Sequence, residues 1–333
     1  MTSEPIRLGV VGCGGYGRSL ARACSQTPRI QLVACYDVSR RSAESFAAEF
    51  GCRAMDSEEA LLSDPEIRGV IIVSPNDVHR ANAVAAAEAG KHVFVDKPIA
   101  GSAADGIAIV EACKRAGIVL AVGHNGRRLA GHRKMKEMIE AGAVGTVITG
   151  EANFSHSGGL GLTNAHWRAA RDRCPALPLM QLGVHFADTL QYLLGDVTEV
   201  SSFMEHLATP VDNDDATVSI LRFASRALGY LGSNYATPAV YYVNVYGTGG
   251  NLICHGGGQV IYHKAGEKQP ETIRPQGPDS QVEELEEFAD CILTGGKPEV
   301  SGEEGLKALA IVVAALRSSQ ENRPVTIAEI LAG

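Results

Sequence analysis

Six consecutive residues, Gly12-Cys13-Gly14-Gly15-Tyr16-Gly17, set the strongest constraint on what this 333-residue chain can fold into. They spell G-x-G-x-x-G directly after the apolar run 6–11 and open a stretch with helical spacing. In that pattern the first glycine allows a tight turn out of a strand and the second lets a pyrophosphate approach the backbone. The third lets helix and strand pack closely. The helix that follows offers phosphates its free N–H groups and the positive end of its dipole. Gly12, Gly14, Gly15, Tyr16 and Gly17 are therefore candidate cofactor-binding residues. Asp37 ends the next apolar run, twenty residues beyond Gly17, where a carboxylate can hold ribose hydroxyls. Its charge favours NAD over a cofactor with a phosphorylated ribose. Arg40 and Arg41 follow closely and could attract that phosphate, so NADP stays open.

Glycine-rich turns are common, and the surroundings decide what this one means. Apolar runs at 6–11, 31–37, 69–73, 92–95 and 119–122 alternate with alanine-rich helical patterns at 16–26, 39–50, 76–88 and 103–116. Fully apolar strands separated by helices predict a buried parallel sheet covered on both faces. Beyond residue 125 the pattern changes. Helical spacing at 134–141 and 183–194 brackets an extended run at 147–156, and strand patterns follow at 200–207, 216–223, 227–234, 241–246 and 259–263. Strands in series without intervening helices favour antiparallel pairing. Two helical patterns, 281–293 and 303–319, close the chain. The expected class is α/β: a Rossmann-type doubly wound parallel sheet over 1–124, then an α+β domain over 125–333 with a large, mostly antiparallel sheet.

Apolar residues at 45% and charged residues at 20% are ordinary for a globular chain. The net charge of −8 opposes a nucleic-acid surface, and the pairs Arg40-Arg41 and Arg127-Arg128 are too short to reverse that. No run is long and apolar enough to span a membrane, and the first seven residues carry no secretory pattern. Eight scattered cysteines without a C-x-x-C pair suggest no metal site and reduced thiols in the cytoplasm.

Further motifs lie at Ser74-Pro75-Asn76-Asp77-Val78-His79 and at Ala89-Gly90-Lys91-His92-Val93-Phe94-Val95-Asp96-Lys97-Pro98. With Gly183-Val184-His185-Phe186-Ala187-Asp188 and Tyr246-Gly247-Thr248-Gly249-Gly250, they make the chain resemble the glucose–fructose oxidoreductase/inositol dehydrogenase/rhizopine (Gfo/Idh/MocA) family over essentially its whole length. Asp96-Lys97-Pro98 stands where that family carries Glu-Lys-Pro. The resemblance implies a dehydrogenase acting on a sugar, sugar derivative or cyclitol, and a homodimer or homotetramer built on the second domain's sheet. It places the nicotinamide near Asp96, Lys97 and Pro98, and Ser74, Pro75, Asn76 and His79 along the cofactor cleft. Asn125 and Arg127, where the chain crosses between domains, complete the cofactor-binding set.

Oxidising an alcohol needs a hydride acceptor and a group to manage the proton. His185 matches the family histidine and titrates near neutrality, which suits a base. Lys97, just past a parallel strand's carboxyl end, can hold the substrate oxygen as charge develops. Gln181 stands where many members have an aspartate, and it cannot act as a base. Asp188, three residues after His185, could orient it. Trp167 and Arg168 lie in a polar, aromatic stretch suited to a sugar, so Lys97, Trp167, Arg168, Gln181 and His185 form the candidate substrate set. Two other readings use the same scaffold: a glycosidase or lyase that oxidises its sugar transiently, and a cofactor-binding sensor without chemistry.

Overall fold

The computed structural model describes residues 4–332. Strands and helices alternate at first: β1 Ile6–Val11, α1 Gly15–Cys24, β2 Ile30–Tyr36, α2 Arg40–Phe50, β3 Arg53–Ala54, α3 Glu58–Ser63, β4 Gly69–Ile72, α4 His79–Glu88, β5 His92–Asp96, α5 Ala103–Ala116 and β6 Leu120–Gly123. Then come α6 Ala130–Glu140, β7 Val147–Ser155, α7 Val184–Leu194 and seven strands: β8 Val197–Glu205, β9 Ala216–Phe223, β10 Leu228–Asn234, β11 Val240–Gly247, β12 Gly250–His255, β13 Gln259–Lys264 and β14 Glu271–Ile273. The chain closes with α8 Ser280–Thr294, α9 Gly302–Glu321, β15 Val325–Thr326 and α10 Ile327–Leu331.

Two compact units result. The first holds the residues up to Gly123 together with Asp279–Leu306, and the second holds His124–Pro278 and the chain from Lys307 onward. In the first, six parallel strands run in the order β3-β2-β1-β4-β5-β6. The order reverses between β1 and β4, the switch point where doubly wound sheets bind their ligands. Apolar strands are buried here on both faces, with Val70, Ile71, Ile72, Val93 and Val95 at zero exposure.

Helix α8 carries sequence from the far end of the chain, yet it packs in the first unit. Leu285, Phe288, Ala289 and Ile292 recur at helical spacing and join a core with Leu20, Cys24, Ile30 and Phe94. Phe288 meets Phe94 edge-on at 5.9 Å. Full burial of a leucine, isoleucine or phenylalanine side chain is worth about 1.5–3 kcal/mol. Thr27 Oγ1 donates to Glu286 at 2.6 Å, and Arg29 pairs with Asp290. The boundary expected near residue 124 therefore needs an addition, because 279–306 returns to the first unit.

The second unit is built on nine strands in the order β14-β13-β12-β11-β7-β10-β9-β8-β15. Every pair is antiparallel except β7 with β10. Alternation is clean along β9, where Thr217, Ser219, Leu221 and Phe223 are buried and the residues between them are not. The inner face packs beneath α7, whose Val184, Phe186, Ala187 and Leu190 are fully buried. Ser318 and Ser319 of α9 accept from the β8 backbone at Ser202 and Met204, 3.0 and 3.1 Å away. The other face leaves Phe203, Val218, Ile220 and Leu228 exposed.

Candidate functional site

Two loops of the first unit meet at the switch point, one after β1 and one after β4. Gly12 takes φ +103°, and a Cβ there would lie 2.7 Å from the carbonyl of Val73. A Cβ on Gly17 would lie 2.3 Å from Gly12 O, inside any tolerable contact. These two glycines are demanded by the protein itself. Gly14 and Gly15 are different, because a Cβ on either would meet nothing within 4 Å. Their bareness leaves a cradle rather than relieving a clash. Gly14 begins α1 with no side-chain cap, and no acidic residue sits in the first turn, so the helix dipole and its N–H groups remain for an anion.

Asp37 follows β2 and is held on both oxygens: Cys13 N–H donates to Oδ2 and Ser39 N–H to Oδ1, each at 2.8 Å. Fixed this way, the carboxylate keeps lone pairs for hydroxyls. Arg40 pairs instead with Glu44 at 2.8 Å and Asp56 at 2.6 Å. The Tyr16 phenol is pushed well above its usual range by burial, with Asp96 and Glu284 adding to the shift, while a hydrogen bond with Gln281 of α8 opposes it.

After β4, Ser74 Oγ donates to Asn82 at 2.7 Å, Pro75 follows, and Asn76 is buried. His79 is buried with each ring nitrogen against a carbonyl, Nδ1 at 3.0 Å from Pro98 O and Nε2 at 2.8 Å from Ser74 O. One imidazole thus links the β4 loop to the Lys97-Pro98 segment beyond β5. Burial lowers its pKa, and the carbonyls oppose that shift. Asp96 ends β5 opposite Gly123 of β6, and Lys97 follows at the sheet's carboxyl end. The residues present fit a dinucleotide: two bare glycines at an uncapped helix start, and a fixed acid at the end of the neighbouring strand.

In the second unit, Asn125 and Arg127 lie in the short turn Asn125–Arg128. Arg127 forms a buried, two-pronged pair with Asp188 of α7: Nε donates to Oδ2 at 2.9 Å and Nη2 to Oδ1. Both oxygens of Asp188 thus go to Arg127, which also lies over the Tyr192 ring at 5.3 Å.

His185 stands in the first turn of α7, 5.8 Å from the ring of Phe154. Just before it, Leu179–Gly183 forms a π-helical turn, a feature frequent at functional sites. Gln181 sits within that turn, buried, accepting from Arg168 Nε at 2.8 Å and donating to Cys174 Sγ at 3.3 Å. Arg168 in turn lies 4.7 Å from the Trp167 ring. Trp167, Arg168 and Gln181 are thus brought together by two segments of one unit, and His185 follows Gln181 by four residues on the same helical run. Lys97 belongs to the other unit.

Sequence reasoning missed the clamp that holds this loop. Asn213 Nδ2 donates to Cys174 O at 2.8 Å and to Arg168 O at 3.3 Å, and Arg171 pairs with Asp214 at 2.9 Å. Nothing periodic announces an asparagine between β8 and β9 bonding forty residues back. No group of three or more His, Cys, Asp or Glu able to hold a metal occurs among the described residues. No helix among them is long and apolar enough to cross a membrane.

A glycine cradle at the switch point of a doubly wound sheet, followed by a large antiparallel sheet domain, defines a two-domain dinucleotide-binding oxidoreductase. Family comparison places the chain within that class. Residues 6–124 match the oxidoreductase family with the NAD-binding Rossmann fold, and 132–253 match the GFO/IDH/MocA C-terminal domain. A solved protein from Desulfitobacterium hafniense, assigned as an NADPH-dependent oxidoreductase, is 35% identical with a TM-score of 0.94, covering 99% of this chain and all of that one. The 1,5-anhydro-D-fructose reductase of Ensifer adhaerens is 28% identical over 96% of this chain and 98% of its own length. The 2,7-anhydro-N-acetylneuraminate hydratase of Escherichia coli is 27% identical over 98% of each. The chain belongs to the Gfo/Idh/MocA family and is an oxidoreductase with an NAD-binding domain.

Proposed function

We propose that this protein transfers a hydride between a nicotinamide and a hydroxyl-bearing carbon of a sugar, sugar derivative or cyclitol, with Lys97 and His185 managing the proton. The observation that carries the cofactor half is the cradle at Gly14 and Gly15, open to a ligand and paired with the fixed Asp37. Bound NAD supplies the hydride acceptor. As hydride leaves the carbinol carbon, its O–H becomes acidic. His185 takes that proton as general base, and the Lys97 ammonium donates to the oxygen while negative charge develops there. Gln181 and Arg168 hydrogen-bond the substrate, and Trp167 covers an apolar ring face. His79 ties the Lys97-Pro98 segment to the β4 loop and so keeps Lys97 in place.

NAD is the favoured form. Asp37 would repel a ribose phosphate, and Arg40 is already engaged by two carboxylates. Eight unpaired cysteines, seven of them buried, support a cytoplasmic setting. The uncovered sheet face supports a homodimer or homotetramer, because Phe203 lies opposite Val218 and Ile220 opposite Tyr230 in an apolar patch.

The test is reduced-nicotinamide absorbance with NAD or NADP against a panel of sugars, cyclitols and glycosides, for wild type, Lys97→Ala and His185→Ala. The expected result is turnover of one substrate class, lost in both variants, with NAD preferred. Tight cofactor binding with no absorbance change anywhere would overturn it. The hydratase relative supports a second reading, in which oxidation is transient and a group is eliminated before the hydride returns. Product release without net cofactor reduction would select that reading.

A further inference from the structure

Arg168 differs in charge balance from the arginines around it. Arg171, three residues on, has Asp214 at 2.9 Å and Asp212 at 4.0 Å. Arg127 has Asp188. Arg168 has no carboxylate within 4 Å among the described residues; its side-chain partners are the Gln181 amide and the face of Trp167. A glutamine oxygen accepts the Nε–H without cancelling the cation. The guanidinium is only partly exposed. It is nonetheless held firmly: Nε is fixed by Gln181, its plane lies near the indole, and its backbone carbonyl is held by Asn213.

What remains is the terminal pair of nitrogens, whose N–H groups have no acceptor within the described chain. A guanidinium fixed at one edge presents the other as a planar fork. That fork matches two oxygens of a carboxylate or phosphate, and Arg is the side chain suited to such two-pronged recognition. Nearby, Tyr235 lies against His156 at 4.8 Å, giving the neighbourhood an aromatic wall, and burial lowers the His156 pKa. Gln181, which holds the cation, lies four residues before His185 on one continuous helical run, so the partner of Arg168 and the proposed base are carried by neighbouring turns.

We propose that Arg168 is the oxyanion-binding residue of the substrate site, and that the preferred substrate is a sugar or cyclitol bearing a carboxylate or a phosphate monoester. The proposal rests on the reading of this region as the substrate side of a dehydrogenase.

The experiment measures calorimetric binding to the NADH-loaded protein. Glucose, galactose and mannose are each compared with their own uronate and 6-phosphate. In at least one series an anionic member binds about 10–100-fold tighter than its neutral parent, as a charge-assisted pair adds. Which member wins separates carboxylate from phosphate. Arg168→Gln abolishes the preference. Gln181→Glu abolishes it too, because the new carboxylate neutralises an Arg168 that is still present, and that variant guards against simple misfolding. The proposal is overturned if no anionic member outbinds its parent in any series, or if the preference survives both variants. Turnover of neutral sugars without anion preference would remove this proposal and leave the dehydrogenase reading standing. Anion binding through Arg168 without hydride transfer on any sugar would do the reverse.

Discussion

Asparagine in place of Asp188 isolates the worth of a buried charge pair. Arg127 and Asp188 are 4% and 0% exposed, and the carboxylate accepts from both Nε and Nη2. Asp188→Asn keeps the size but turns one acceptor into an NH2 that faces a guanidinium N–H. The buried guanidinium stays beside the Tyr192 ring but loses the Asp188 charge and one of its two hydrogen bonds to that side chain. Removing one partner of such a pair costs about 3–5 kcal/mol. For a unit of this size each kcal/mol lowers the melting temperature by roughly 2–4 °C, so calorimetry should show a fall of about 6–20 °C.

The companion variant is Arg127→Met with Asp188→Leu, which removes both charges and fills the space. Its expected stability lies above that of Asp188→Asn, because the guanidinium that loses its carboxylate is then removed with it. Measured together with the single variants, it yields the coupling between the two sites directly. Should Asp188→Asn melt within about 1 kcal/mol of wild type, the pair is reached by water or the guanidinium has another anchor, and the reasoning fails.

Three further outcomes follow from the same geometry. Gly14→Ala should fold with near-normal stability yet lose NADH affinity, whereas Gly17→Ala, with its Cβ driven to 2.3 Å from Gly12 O, should cost about 1–3 kcal/mol as well; fluorescence titration and urea unfolding distinguish them. Asp215 lies below the usual carboxylate value of 3.8, since burial pushes it up but the N–H groups of Leu207, Ala208 and Thr209 pull it down further. Its contribution is present above the unfolded pKa and fades as pH falls through the folded one, so the deficit of Asp215→Asn, about 2–3 kcal/mol at pH 7, should shrink below roughly pH 4 in denaturant titrations. His79→Leu strips the carbonyls of Ser74 and Pro98 of their shared ring, and should lower the urea midpoint by the equivalent of about 1–3 kcal/mol.

What the chain discloses to a reader of its sequence is what depends on neighbours along it. The turn at Gly12–Gly17 is contiguous, its glycine roles follow from backbone geometry, and Asp37 sits one strand away, so the cradle and its acid were both legible. The alternation of apolar runs and helices likewise carries the order of the first sheet's elements. Pairing over distance is another matter. Period 3.6 marks α8 as a helix with one apolar face, but the partner of that face, α1 and the β1–β4 sheet, is set by shape across more than two hundred residues. Asp188 illustrates the limit at the candidate site itself. Helical spacing puts it on the face of His185, and spacing alone suggests that it steers that ring. A guanidinium 61 positions earlier claims both oxygens instead. The Arg168–Gln181 contact was hidden for the same reason, compounded by the π-helical turn, which changes the angular position of Gln181 relative to α7. Local pattern therefore assigns the family's chemistry to this chain, while departures that would make its substrate particular lie in long-range polar pairs. That is why an uncompensated arginine, rather than a motif, is the feature on which substrate choice should be tested.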